Sequence, residues 1–402
     1  MPSPSPAPHV LGDLTVERFL AEYWQKKPLL IRQAIPGFTG PLEADDLAGL
    51  ACEPEAESRI VLETGGTPPW ELRHGPFDEA DFATLPPERW TLLVQGVDRW
   101  VPEVAELLEG FRFIPSWRID DVMVSYGAPK GGVGAHYDQY DVFLLQGAGY
   151  RRWRVGPRCD AASPRVEGVP LRILKEMPVT DEWVLAPGDM LYLPPGFAHD
   201  GVAEPAPEGG VAAADGGCLT YSIGFRAPSA AELATAFADA LAERAADGAE
   251  EPRYADPGLA PQPNPGMIAP DALDRARALL RAALEDDEAV AGWFGRHVTE
   301  PKPGAPVEPP GRPMNAKALA AKAAKGAALV RSADARLAFI DRPDGSATLF
   351  ADGDARPCPA GPAADLARAV AGRPSVPLPA DLPPEAVEVA LWLVNQGLVS
   401  VE

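Results

Sequence analysis

A chain of 402 residues with 36 basic and 58 acidic side chains carries a formal net charge of −22, which argues against nucleic-acid binding over its whole surface. The acidity either attracts a basic partner, such as a lysine- or arginine-rich protein, or only keeps the chain in solution. The chain is too long for one small core and is expected to form two or three domains.

No run of about 18 apolar residues exists to span a bilayer, and no basic-then-apolar leader marks secretion. Four scattered cysteines (Cys52, Cys159, Cys218, Cys358) form no C-x-x-C pair. They fit reduced thiols in a cytoplasm better than a disulfide frame or a cysteine zinc site.

Residues 2–8 read as a flexible leader. Val16, Phe19, Leu20 and Tyr23 recur at helical spacing, so a short helix is predicted from Thr15 through Trp24, ending before Pro28. Leu29–Ile31 reads as a buried strand and 42–50 as an acidic helix. Short strands are expected at 59–63, 70–73 and 90–94, then a helix over 101–108. From Ile119 to Ser125 polar and apolar residues alternate, which suits a barrel wall facing a ligand. A glycine-rich approach at 131–134 leads to His136 and Asp138, an apolar run, a Gly147-Ala148-Gly149 turn and a basic, aromatic strand. Further strand material is expected over 170–184. A strand from Gly188 ends in Leu193-Pro194-Pro195-Gly196, and His199 stands three residues beyond it. A loop over 203–217 precedes a strand from Cys218 to Arg226. Many short strands between glycine and proline turns indicate an antiparallel jelly roll through residue 227.

The pattern changes at Pro228. Ser229 with Glu232 three residues on is a capping box, opening a helix to about Ala246, with further helices over 271–284 and 288–297. This helical region, 228–300, can bury its apolar faces against a second copy or against the barrel. A proline-rich linker, 301–313, follows. Beyond it an alanine-lysine helix over 315–330, a hairpin around Asp344-Gly345 and helices over 364–370 and 384–395 are similar to a winged-helix domain, completing 301–402. From Gly311 to Glu402 there are 10 Lys plus Arg against 10 Asp plus Glu. Without a basic excess, a protein-interaction or structural role is expected there, and no direct nucleic-acid or membrane binding.

Residues two apart on a strand face the same way, so His136 and Asp138 can hold one metal from one strand. His9 lies in the leader, His74 in a peripheral strand and His297 at a helix end, which leaves His199 as the closing ligand. Two histidines and one carboxylate form the facial triad of non-haem Fe(II) oxygenases, with open positions for a cosubstrate and O2. The glycines of the central stretch complete neither G-x-G-x-x-G nor a Walker motif, so no phosphate loop is expected.

The segments GAHYDQYDVFLLQGAGYRRWRVG, GDMLYLPPGFAHDG and YSIGFR, with the early FLAEYWQKKPLLIR, resemble the JmjC-type ribosomal oxygenases of the cupin superfamily. The resemblance spans nearly the whole chain. It implies a mainly β fold, a double-stranded β-helix (1–227) followed by a helical dimerisation region and a winged-helix-like domain. It implies Fe(II), 2-oxoglutarate and O2 as requirements, a homodimer, and hydroxylation of an arginine side chain in a basic segment of a large-subunit ribosomal protein.

Carried over by position, His136, Asp138 and His199 are the iron ligands, and Arg151 pairs with the distal carboxylate of 2-oxoglutarate, a task its guanidinium fork suits. Arg152 and Arg154 fall on the opposite face of that strand. Some relatives have a serine where this chain has Gly127, and Ser125 is the substitute here. The substrate pocket corresponds to Asp121, Met123, Tyr140 and Ser222, with Asp121 facing the target guanidinium and Met123 and Tyr140 its alkyl stem. Hydroxylation of a ribosomal histidine, N-methyl-lysine demethylation and a non-catalytic cupin scaffold are the competing readings. Asp121 favours arginine, and the triad with Arg151 speaks against the scaffold.

Overall fold

The computed structural model describes residues 10–208, 210, 216–246, 248, 252–302 and 307–402. The chain divides into two compact units that meet between Ala227 and Pro228. Residues 2–8, read above as a leader, lie outside the described residues, as do 209 and 211–215 of the predicted 203–217 loop. Among the described residues no helix is long and apolar enough to cross a membrane.

The first unit is the expected jelly roll. Its strands are β1 (Leu29–Ile31), β2 (Ser58–Glu63), β3 (Trp70–His74), β4 (Trp90–Val94), β5 (Ile119–Gly127), β6 (Asp141–Ala148), β7 (Tyr150–Arg158), β8 (Asp181–Leu185), β9 (Met190–Leu193), β10 (Phe197–Glu204) and β11 (Cys218–Phe225). Eight form one sheet in the order β1-β9-β6-β11-β5-β4-β2-β3, and three form a second, β10-β7-β8. All their pairings are antiparallel.

Period-2 alternation sorts the side chains of the large sheet. On one face Phe143, Leu145, Tyr192, Tyr221 and Phe225 are buried with Phe19 of α1 (Val16–Glu22), a helix N-capped by Thr15. Phe19 meets the Tyr192 ring edge-on at 5.0 Å, and about 2 kcal/mol of burial per such side chain makes this face the main anchor of the N-terminal segment. On the other face Val142, Leu144, Leu191 and Leu193 form a smaller core with Trp153, Val155 and Leu185 of the small sheet. Polar members of that same face, Ser125, Gln146 and Thr220, contribute to the site.

In the first unit the structure corrects four expectations. The 101–108 helix is α-helical only over Pro102–Glu106 and tightens into a 3-10 turn to Phe111. Only Asp181–Leu185 of the 170–184 stretch is a strand. His199 lies inside β10, which also takes in Ala203 and Glu204, assigned above to a loop. His136 and Asp138 do not share a regular strand: His136 forms an isolated antiparallel bridge with His199, and Asp138 has no strand partner.

In the second unit the capping box forms as read. Ser229 N donates to Glu232 Oε2 (2.6 Å) and Glu232 N donates to Ser229 Oγ (3.2 Å), starting a helix over Ala230–Ala246. Helices Pro270–Leu284 and Asp287–Thr299 follow. The last packs on the hairpin that follows it, since a Cβ at Gly295 would lie 2.4 Å from the Phe350 ring. The 270–284 helix has no buried residue, and Leu273, Leu280 and Leu284 are all exposed. The alanine-lysine helix stops at Ala323. Val330 belongs instead to a strand, Ala328–Arg331, paired with Ser375–Pro377 and Val399–Val401. Alanine favours the helix locally, but Gly326, with φ +82°, ends it.

Candidate active site

His136, Asp138 and His199 converge, with one ligand atom from each within 4.8 Å of the others. The backbone sets this geometry. His136 N donates to His199 O (2.9 Å) and His199 N donates to His136 O (2.8 Å), so the two ligand-bearing residues face each other across one bridge. Gly196 N donates to Asp138 O (2.7 Å), tying the Pro-Pro-Gly turn to the carboxylate-bearing segment. Gly134, at φ +80°, allows the close approach, because a Cβ there would lie 2.8 Å from Ile173 Cδ1.

Each imidazole is oriented through Nδ1, His136 to Gly134 O (2.8 Å) and His199 to Phe197 O (2.9 Å). A carbonyl only accepts, so Nδ1 carries the proton and Nε2 keeps its lone pair for a metal. His199 Nε2 lies 3.5 Å from Asp138 Oδ2. Burial, helped by the adjacent His136, pushes the His199 imidazole down to about 4, which keeps it neutral and able to coordinate. Two imidazoles, each tied through Nδ1 to a main-chain carbonyl, beside a carboxylate fit a divalent transition metal.

Arg151 provides the second half of the site. It is 2% exposed. Nη1 donates to Ser125 Oγ (3.3 Å) and Thr220 Oγ1 (3.5 Å), and Nη2 to Gly201 O (3.2 Å). Arg151 Nε and Trp153 Nε1 are buried and find no partner among the described residues. The Trp153 ring packs against both Arg151 (5.0 Å) and His199 (5.9 Å). No carboxylate of the described residues pairs with Arg151. Burying an uncompensated guanidinium costs several kcal/mol, so the position calls for an anion from outside the chain. The dicarboxylate 2-oxoglutarate fits that demand, with iron held by the triad beside it.

Ser125, expected to stand in for the serine of some relatives, is hydrogen-bonded to Arg151. Gly127 lies at the end of β5, where a Cβ would meet Ala203 Cβ at 3.4 Å. Two residues escaped the sequence reading. Thr220 bonds Arg151, and it donates to Gln146 Oε1 (3.1 Å), whose Nε2 is fixed on Ala148 O and Gly149 O. Thr220 sits two residues before Ser222, on the same face, so period-2 counting from Ser222 could have found it. Arg152 and Arg154, as expected, point away and pair with Glu204 (2.6 Å) and Glu182 (3.0 Å).

Asp121 and Met123 follow the same face of β5 as Ser125 at two-residue spacing. Asp121 is 3% exposed, and both its oxygens accept from Gln95 Nε2 (3.0 and 2.9 Å). Met123 and Ser222 are direct cross-strand partners. Tyr140 is 42% exposed and lies in the field of Asp138, Arg59 and Asp121.

Comparison with known proteins agrees with this geometry. A JmjC domain model matches residues 106–233 and a ROXA-like winged-helix model matches 282–400. The ribosomal protein uL16 3-hydroxylase of Escherichia coli (strain K12) is 36% identical over 347 residues, covering 86% of this chain and 87% of the relative. A probable ribosomal oxygenase of Haemophilus influenzae is 46% identical over 223 residues, covering 55% of this chain and 52% of that protein. The structure of YcfD, a ribosomal oxygenase from Escherichia coli, in complex with cobalt and 2-oxoglutarate superposes with a TM-score of 0.81. It is 33% identical, and the match covers 97% of this chain and 99% of that one. The chain belongs to the JmjC-type ribosomal oxygenases of the cupin superfamily.

Proposed function

We propose that this protein is an Fe(II)- and 2-oxoglutarate-dependent oxygenase that hydroxylates an arginine side chain of a large-subunit ribosomal protein. The observation that carries the reading is the buried, anion-free Arg151 beside the His136–Asp138–His199 cluster. The Escherichia coli relatives, a uL16 3-hydroxylase and a protein solved with cobalt and 2-oxoglutarate, support it.

His136, Asp138 and His199 hold the iron. Arg151, with Ser125 and Thr220 turned toward it, takes the distal carboxylate of the cosubstrate. Bound together, iron, 2-oxoglutarate and O2 supply an oxidant that inserts one oxygen atom into a C–H bond, with succinate and CO2 as coproducts. The chain itself positions: the backbone bridge holds the two imidazoles together, and Trp153 packs against both Arg151 and His199. Asp121, held by Gln95, receives the target guanidinium, while Met123 and Tyr140 enclose its stem and Ser222 closes the wall. The net charge of −22 favours encounter with a basic protein. The proposal includes a homodimer through 228–300, for which the exposed leucines of the 270–284 helix speak. It also includes work in the cytoplasm, where such a substrate is made, and a winged-helix-like region, 301–402, that contacts protein rather than nucleic acid.

The test is mass spectrometry of large-subunit ribosomal proteins incubated with the enzyme, Fe(II) and 2-oxoglutarate. We expect one added oxygen on an arginine, and none with Asp138→Ala. Oxygen on a histidine would overturn the arginine assignment, and no modification on any ribosomal protein would favour a scaffold.

A further inference from the structure

The large sheet extends past β5 toward its β3 edge, and one basic residue there has found no carboxylate. Arg59 on β2 pairs directly with Leu93 on β4, which pairs directly with Ser125 on β5. Directly paired residues project from the same face of a sheet, so Arg59 shares the face of Ser125, the residue bonded to Arg151. The Arg59 guanidinium is half-buried, and among the described residues its one hydrogen bond runs from Nη2 to Met123 Sδ (3.8 Å). A thioether is a weak acceptor. Arg59 also lies close enough to Tyr140 to act on its hydroxyl.

The contrast with its neighbours is informative. Nearby cations of this unit are matched: Arg73 with Glu71, Arg89 with Glu63, Arg226 with Asp120. At Arg59, donors beside the two residues proposed to enclose the target stem are left with only a sulfur. A cation beside Met123 and Tyr140, in a site for a cationic side chain, is counterproductive unless the incoming segment places an oxygen there. Two distinct like charges would otherwise be brought together in a partly dry cleft.

Building on the arginine-hydroxylase reading above, we propose that Arg59 is a specificity-determining residue. It donates to an oxygen of the substrate segment next to the target arginine, and so selects segments that present an acceptor at that position. That oxygen is either a main-chain carbonyl or a side-chain carboxylate, the same chemistry from two sources. Arg59 touches the substrate and not the iron or the cosubstrate.

The test compares the unaltered enzyme, Arg59→Gln and Arg59→Lys on two synthetic peptides. Both span the arginine found to be modified, one with its natural flanking residues and one with every flanking Asp or Glu replaced by its amide. Product is read by mass spectrometry at saturating 2-oxoglutarate. Turnover of the natural peptide by the unaltered enzyme tests the parent reading alone, and its failure would overturn both. Given turnover, we expect Arg59→Gln to raise the peptide KM about tenfold, with the smaller part of the loss in kcat. Arg59→Lys, which keeps charge but loses the fork, should recover part of it. A rise on both peptides assigns a carbonyl, and a rise confined to the natural peptide assigns a carboxylate. Equal KM values for the unaltered enzyme and Arg59→Gln on both peptides would overturn the proposal. So would a fall in kcat with KM unchanged in both variants.

Discussion

Arg151, on β7 of the small sheet, and Asp141, on β6 of the large sheet, are both buried and are treated in opposite ways. Asp141 is 0% exposed and saturated: Gln25 Nε2 donates to Oδ2 (2.9 Å), Tyr192 Oη donates to Oδ1 (2.6 Å), and Arg118 Nη2 lies 3.5 Å from Oδ2. Burial pushes its carboxyl up, against the pull of Gln25, Tyr192 and Arg118. Arg151 is as deeply buried, yet it meets only hydroxyls and a carbonyl and keeps one donor unused. A buried ionisable group whose partners all come from the chain is a structural device. One whose partners are neutral and incomplete is set up for a ligand.

The comparison can be broken at either end. The largest effect is expected at Arg151. Arg151→Gln should raise the KM for 2-oxoglutarate about a hundredfold, the usual cost of deleting one side of a buried charged pair. In the absence of cosubstrate the variant should melt no lower than the unaltered protein, because no internal anion is orphaned. The rise in Tm that 2-oxoglutarate gives the unaltered protein should disappear. A drop in Tm without cosubstrate would make Arg151 a structural residue.

Asp141→Ala should do the reverse. It leaves Tyr192, Gln25 and Arg118 without their acceptor and should cost about 3 kcal/mol of stability, read by chemical denaturation. The KM for 2-oxoglutarate should change less than threefold, an order-of-magnitude bound since no cosubstrate contact is removed. A cosubstrate defect as large as that of Arg151→Gln would erase the distinction.

The smallest effect is expected at Asp352 in the second unit, a carboxylate neither saturated nor awaiting a ligand. It accepts from Arg336 N (2.8 Å), and burial, with Asp334 and Asp354 nearby, pushes it up to about 7. A carboxyl raised in the folded state penalises folding as pH rises from the unfolded value near 4 through 7, and does not below both. Asp352→Asn, which keeps the acceptor and tolerates the positive φ of 45°, should therefore raise Tm modestly at pH 8 and leave it unchanged near pH 4. A gain of equal size at both pH values would rule out titration as its cause.

Residues whose meaning depends on near neighbours were legible in the sequence. His136-x-Asp138, the alternation of 119–125 and the Ser229/Glu232 box each carry their signal within a few positions. Arg151 could be placed through the resemblance, but its missing anion could not be seen without knowing what surrounds it. The Gln25–Asp141–Tyr192 network joins residues more than a hundred positions apart, and no local pattern announces it. The strand assigned to His136 and Asp138 failed for a related reason. Period-2 spacing was the right argument for a shared direction, but what holds the pair is a bridge to His199, whose own strand was hidden behind a proline-glycine turn. In 315–330 local helix propensity outweighed, on paper, a strand that exists only because two distant segments pair with it.

The reciprocal bridge between His136 and His199 has a consequence for metal selection. Both imidazoles are already locked in direction and tautomer by main-chain groups, so capturing an ion requires little reordering of the chain. Such a vise cannot sort ions by closing around the right one. Its preferences among divalent metals follow the donors alone, two imidazoles and a carboxylate, rising from Mn(II) through Fe(II) and Co(II) to Cu(II). Iron then occupies the site because it is the ion on offer, and loading with the wrong metal is a hazard that the surrounding supply, rather than the fold, has to prevent.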